Sequence, residues 1–283
     1  MFSTVYDFFE KHYDEVDAVS CRIKHFEAKS GYYMLDYKYK KGTRIADLNN
    51  PDEYFSIQAF ITPVFIKSES IKDLRFDTRM ICGEDTVFCT KVILEKCKIG
   101  LLEETSYNYR KRFSENSAVD KINYNKYFYN EMLEHYHHGM IDYSMEKFGK
   151  VIPYIQAIIA CDLLIHCNME TTREVLNDEE FEVYRKKLKE LLWQVDDSFI
   201  FGQPSFKAYA SRAAAINFKY DIDYFKSLVF KDNQLYFADL KVFNVLKSKN
   251  HCVLNSVSAV NNKFRIEILV AKSQSPLPTG AIS

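Results

Sequence analysis

Apolar residues recur in this chain with two periods, and the change of period divides it. Residues 2–13 place Val5, Phe8 and Phe9 on one face, which predicts a helix that Ser3 or Thr4 can cap. Asp17–Ile23 reads as a strand bounded by acidic residues. Residues 26–50 mix aromatic and polar positions with Gly31, Gly42 and Asn49–Asn50 as breakers, an irregular excursion with short strands. The apolar run Ile57–Ile66 contains Pro63, which argues against a central strand throughout. Val87, Phe88, Val92 and Leu94 then mark a helix over 84–97, followed by a strand near Ile99–Leu102 and a short one at Tyr107–Tyr109.

Beyond Asp120 helical spacing takes over. One long helix is expected over Asn123–Lys147, with Tyr127, Phe128, Met132, Leu133, Tyr136 and Met140 in its stripe. Further helices are expected at Tyr154–His166, at Glu179–Val195 behind an Asn177 or Asp178 cap, and at Phe206–Phe218. Trp193 is assigned to the core. From Lys226 the period is two, giving strands at 227–230, 234–237, 252–254 and 264–270 that read as the opening of a β-sandwich. The expected organisation is an α/β part over 1–120, a helical appendage over 121–220, a β-rich segment over 221–272 and a disordered tail over 273–283.

Composition narrows the function. A 47 % hydrophobic content over 283 residues supports a real core, and 20 Tyr with 22 Phe can also line a polar cleft. A formal charge of −1 provides no global field for nucleic acid, which is excluded as a partner. Seven Cys without a Cys-x-x-Cys pair and without a secretory signal read as reduced thiols of a cytoplasmic protein. His135, His137 and His138 lack partners at ligand spacing, so no zinc site is assigned. Ile152–Cys167 is the most apolar run, but Asp162 and His166 interrupt it, so no membrane span is expected.

The chemistry concentrates in Cys82-Gly83-Glu84-Asp85. Gly83 permits a sharp turn, and two carboxylates follow at a helix start, where backbone N–H groups favour negative charge. On spacing alone Asp85 reads as a cap for its helix.

The order of short motifs adds more. Phe65-Ile66-Lys67, then Ile71, then Leu74-Arg75-Phe76-Asp77, lead into Gly83-Glu84-Asp85, and Tyr109-Arg110-Lys111-Arg112 with Ser117 follows. This succession resembles the acceptor half of family 2 glycosyltransferases with the GT-A fold, in the variety that builds bacterial cell-surface polysaccharide or teichoic-acid-like polymers. The resemblance covers roughly residues 1–120. It implies an incomplete Rossmann-like α/β half. It also implies transfer of a sugar from a nucleotide-sugar donor to a polysaccharide or lipid-linked acceptor, with inversion.

In that picture Asp85 is the catalytic base and Glu84, Tyr107 and Tyr109 bind the acceptor. Arg110, Lys111 and Arg112 meet the diphosphate or the acceptor; without the resemblance they read as a solvated strand end. The family uses a divalent metal, Mn or Mg, held by an Asp-x-Asp on a nucleotide-binding half. By resemblance Met1 falls just after that motif, so the chain is expected to be truncated and weakly active or inactive alone. Asp221-Ile222-Asp223 has the right letters but lies on the wrong side of the acidic loop and follows no strand. A second reading makes the chain a non-catalytic, acceptor-binding module of a larger polymer-synthesising enzyme, with a partner polymerase or a second copy as company. A third makes it a plain helical scaffold.

Overall fold

The computed structural model describes every residue except 114–120, 168, 170, 207–208, 233, 245–251, 261–262 and 271–283. The expected tail and Ser117 therefore lie outside the described residues. The chain divides into two compact units, Met1–Asp221 and Ile222–Ser283.

The first unit is built on a mixed sheet. Strand β1, Ala18–Glu27, runs parallel to the long β5, Lys98–Lys111. The other edge of β1 is shared: β4, Val64–Ile66, pairs antiparallel with its start, and β2, Gly31–Tyr32, with its end. β3, Arg44–Asp47, closes the far side of β5 antiparallel. The two strands expected at 99–102 and 107–109 are thus one, interrupted by an irregularity where Cys21 pairs with Leu102 and Arg22 with Ser106. As expected, no strand runs through Pro63: the only strand in the 57–66 run is β4, which begins after it and lies at an edge.

Helices cover this sheet. In α1, Phe2–His12, Val5 and Phe8 are buried with Val19, Cys21 and Leu102. No side chain caps its start, so the Ser3 or Thr4 cap is corrected; Met1 stands at that position. Helix α2, Glu84–Lys96, buries Val87, Phe88, Val92, Ile93 and Leu94.

The single helix expected over 123–147 is a correction. The structure has α3, Lys126–Tyr129, then a π-helical turn at Leu133–His138, then α4, Gly139–Phe148. Asn130 leaves helical backbone at φ −128° and ψ −80°, which breaks the run. The π turn buries the neighbours Tyr136 and His137 together, which an unbroken α period does not do. Helix α5, Pro153–His166, is buried along nearly its whole length. Past the short α6, Thr172–Val175, comes α7, Asp178–Trp193, which starts with a capping box between Asn177 and Glu180. After α8, Asp197–Gly202, the last helix of this unit is α9, Tyr209–Tyr220. Trp193 is corrected from core to surface: it is 55 % exposed, because Leu188, Leu191 and Leu192 already fill the buried side of α7.

In the second unit, Leu228–Lys231, Gln234–Phe237 and Leu240–Asn244 form an antiparallel three-stranded sheet, and Cys252–Val260 pairs antiparallel with Lys263–Val270. The strand Leu240–Asn244 was not anticipated from the pattern.

Gly100 fixes how closely α1 approaches the sheet. A Cβ there would stand 2.5 Å from the Phe8 ring and 3.0 Å from Val19. Gly100→Ala is expected to cost about 1–3 kcal/mol in urea unfolding, the usual cost of overpacking; unchanged stability would mean that α1 docks less tightly than described.

Candidate active site

Gly83 has φ +93°, so the chain turns where a side chain would be strained. It also lies on the Tyr136 ring, where a Cβ would come within 2.8 Å. The turn aims Glu84 and Asp85 from the first turn of α2. Upstream, Phe76 stacks on Phe88 with centroids 4.3 Å apart, fixing the approach to the loop. Arg79 grips Asp77 through two nitrogens and holds that carboxyl well below the ordinary range.

Asp85 is half-buried, and its Oδ2 accepts a hydrogen bond from Ile61 N–H at 3.3 Å. Burial raises its pKa and the Ile61 bond opposes the rise. Glu84 is also raised, by burial first, with a smaller push from the Asp85 charge. Cys82, on the other side of the turn, is pushed up to about 11 by burial and then by Asp162, Glu84 and Asp85. The cap reading of Asp85 is corrected: the N-cap is Gly83 with no side-chain bond, and the Asp85 bond leaves its own helix for the segment 57–61.

That segment is a ribbon without ladder partners. It meets a line of rings, Phe60–Tyr33 at 5.0 Å, Tyr33–His25 at 6.0 Å and His25–Tyr109 at 5.6 Å. Tyr107 and Tyr109 share a face of β5 by alternation, opposite Ile23 and His25 in register. Of the candidate acceptor tyrosines, Tyr109 is thus linked through ring contacts to Phe60 of the ribbon.

The basic cluster is placed differently. Arg110 alternates with Tyr109 along the strand, and its Nε donates to Glu27 at 2.5 Å. Lys111 pairs in register with Glu27 at the strand end, and Arg112 is exposed just beyond. Among the described residues neither Arg110 nor Arg112 makes a hydrogen bond or ion pair with Asp85. The structure links Tyr109 to the ribbon that bonds Asp85 and leaves Arg110 in an ion pair with Glu27.

Sequence reasoning missed the groups beneath the loop: Lys38, Thr86, Tyr136 and Tyr154. Only Asp162, a carboxylate inside an apolar helix, left a visible signal. Two depressions, about 580 Å³ between α1 and β3 and about 400 Å³ between α3 and α7, include none of the acidic-loop residues. Chemistry, rather than volume, identifies the site.

The aspartates with the letters of the family's metal motif are engaged by lysines. Asp221 is bound by Lys189 in the first unit, and Asp223 pairs with Lys226 in the second. Among the described residues no group of three or more His, Cys, Asp or Glu side chains is placed to hold an ion. No helix there is long and apolar enough to cross a membrane, and the six described cysteines are free thiols.

No protein-family profile matches the chain. Two proteins of Bacillus subtilis (strain 168) are similar to it. One is the minor teichoic acid biosynthesis protein GgaB, 29 % identical over 200 residues, which is 70 % of this chain and 22 % of GgaB. The other is the minor teichoic acid biosynthesis protein GgaA, 27 % identical over 201 residues, 70 % of this chain and 44 % of GgaA. The chain thus spans less than half the length of either relative that it matches.

Asp85 holds its proton more tightly in the folded protein than in the unfolded chain. The wild type therefore loses stability as pH climbs from the ordinary value of 3.8 through the raised one. Asp85→Asn, neutral throughout, is expected to gain stability relative to wild type across that window, read as thermal unfolding at a series of pH values. A difference that stays flat with pH contradicts the burial described.

Proposed function

We propose that the chain is the acceptor-side part of a sugar transferase acting on a teichoic-acid-like cell-wall polymer, with Asp85 as the general base. The observation that carries this reading is the half-buried Asp85 carboxylate, oriented by Ile61 N–H at a helix start. Burial keeps such a carboxylate basic, and the amide keeps it aimed. The likeness to two teichoic acid biosynthesis proteins supports a polymer of that kind as the acceptor.

In this reading an acceptor hydroxyl gives its proton to an Asp85 oxygen as its own oxygen bonds to the anomeric carbon of a nucleotide-sugar. The bond to the diphosphate breaks on the opposite face, and the leaving group takes the electron pair, so configuration inverts. Glu84 accepts a second hydroxyl. Tyr107 and Tyr109 offer ring faces to the acceptor sugar. The basic end of β5, Arg110 to Arg112, is assigned to diphosphate or acceptor charge, for which Arg110 would exchange Glu27 for a phosphate oxygen. No step is assigned to a metal, because the carboxylates that match the motif are already paired with lysines.

Transfer is measured with UDP-, CDP- and GDP-sugars, with polyol-phosphate and lipid-linked acceptors. Asp85→Asn is expected to lower turnover by about 10²–10⁴, the usual contribution of a general base. Full turnover in that variant removes Asp85 from the role. Acceptor binding by calorimetry, with no transfer from any donor, favours the non-catalytic module instead.

A further inference from the structure

The ribbon Ile57–Ile61 belongs to no sheet: backbone bonds join Ile57 N–H to Phe55 O and Val64 N–H to Ile61 O, and side chains bond five more of its backbone groups. Lys38 Nζ donates to Ile57 O at 2.7 Å and to Gln58 Oε1 at 2.6 Å. Gln58 N–H donates to Tyr154 Oη at 3.2 Å, and Gln58 Nε2 turns back onto Phe60 O. Thr86 Oγ1 donates to Ala59 O at 2.9 Å. Ile61 N–H is the last of the series, and it goes to Asp85.

These donors and acceptors come from distant parts of the chain. Lys38 is fully enclosed, with burial pushing its ammonium down to about 7, and it spends its hydrogens on two acceptors of the ribbon. Thr86 is buried one residue after Asp85. Tyr154, fully buried in the first turn of α5, reaches the ribbon from the helical region. Removing any one leaves a buried backbone group without its partner, and the ribbon has no ladder to fall back on.

We propose that Lys38, Thr86 and Tyr154 are positioning residues that fix where Ile61 N–H meets Asp85, and so where that carboxylate points. Its meaning for transfer rests on the reading of Asp85 as base; its geometric content does not. The titratable groups around the carboxylate are Glu84 and Cys89 on its own helix, Cys82 on the turn, and Lys38, Tyr136 and Asp162 from the elements packed about them. None of them lies on the ribbon, so the ribbon acts on Asp85 through one amide.

The test is the Asp85 carboxyl titration, followed by NMR in the whole chain labelled with ¹³C-aspartate and assigned with Asp85→Asn. Ile61 N–H stabilises the ionised form, so a loosened ribbon leaves burial unopposed. Thr86→Val, nearly the same shape, and Tyr154→Phe are each expected to move the midpoint upward, by about threefold or more in proton affinity, the size of a weakened hydrogen bond. Thr86→Ser restores it. Tyr39→Phe is the control: it removes a buried hydroxyl that bonds Ser20 and Cys21 O, so it should lower stability and leave the midpoint in place.

Unmoved midpoints in Thr86→Val and Tyr154→Phe overturn the proposal, and so does an equal shift in Tyr39→Phe. Lys38→Met is a poorer probe, since loss of positioning and loss of fold would look alike. If transfer is measurable, its acid limb should shift with the midpoint. The titration result stands whether or not this chain transfers sugar by itself.

Discussion

One hydrogen bond between a backbone amide and a carboxylate joins the two things this fold must do. Ile61 N–H belongs to an irregular ribbon, and Asp85 to the first turn of a helix. A carboxylate half out of water is unfavourable when ionised, and an N–H aimed at it offsets part of that cost. The bond requires the turn at Gly83, which brings the helix start to the ribbon. That turn in turn requires the Tyr136 ring beneath it, so close that a Cβ at Gly83 would overlap it.

Much of the first unit is organised by buried lysines that fasten segments with no regular partner. Lys38 holds the ribbon. Lys67 bonds Tyr13 O and lies near Asp17, tying the edge strand β4 to the turn after α1. Lys219 bonds Val195 O and Asp197 at 2.7 Å each, fixing the link between α7 and α8. A buried ammonium is costly unless its hydrogens are used, which makes each of these geometrically demanding. The helices beyond residue 121 take part in the same scheme. Tyr127 Oη donates to Cys82 O, Tyr136 supports Gly83 and Tyr154 holds Gln58, so three tyrosines of the helical region underpin the acidic loop and its ribbon.

What the sequence made legible follows from how local each feature is. The Gly83 turn, the Glu84–Lys96 helix and the Asn177 cap depend on neighbours within a few residues, and pattern alone finds them. The break at Asn130 and the π turn depend on packing, so an apolar stripe through 123–147 looked continuous. Tyr107 and Tyr109 are nameable as candidate ring surfaces, but the Arg110–Glu27 ion pair appears only once β1 and β5 are neighbours. Lys38, Thr86 and Tyr154 carry no motif. Each reaches across the chain by a single side chain, and no spacing rule encodes such a reach.

Whether Asp85 holds Ile61 N–H is measured directly by amide hydrogen exchange at Ile61. In the wild type, above the titration of Asp85, the Ile61 amide should exchange far more slowly than an open loop amide. In Asp85→Ala that protection should vanish while the amides of Ile99 and Leu101, in the sheet core, stay protected. Rapid exchange at Ile61 in the wild type, or protection unchanged by Asp85→Ala, would contradict the account.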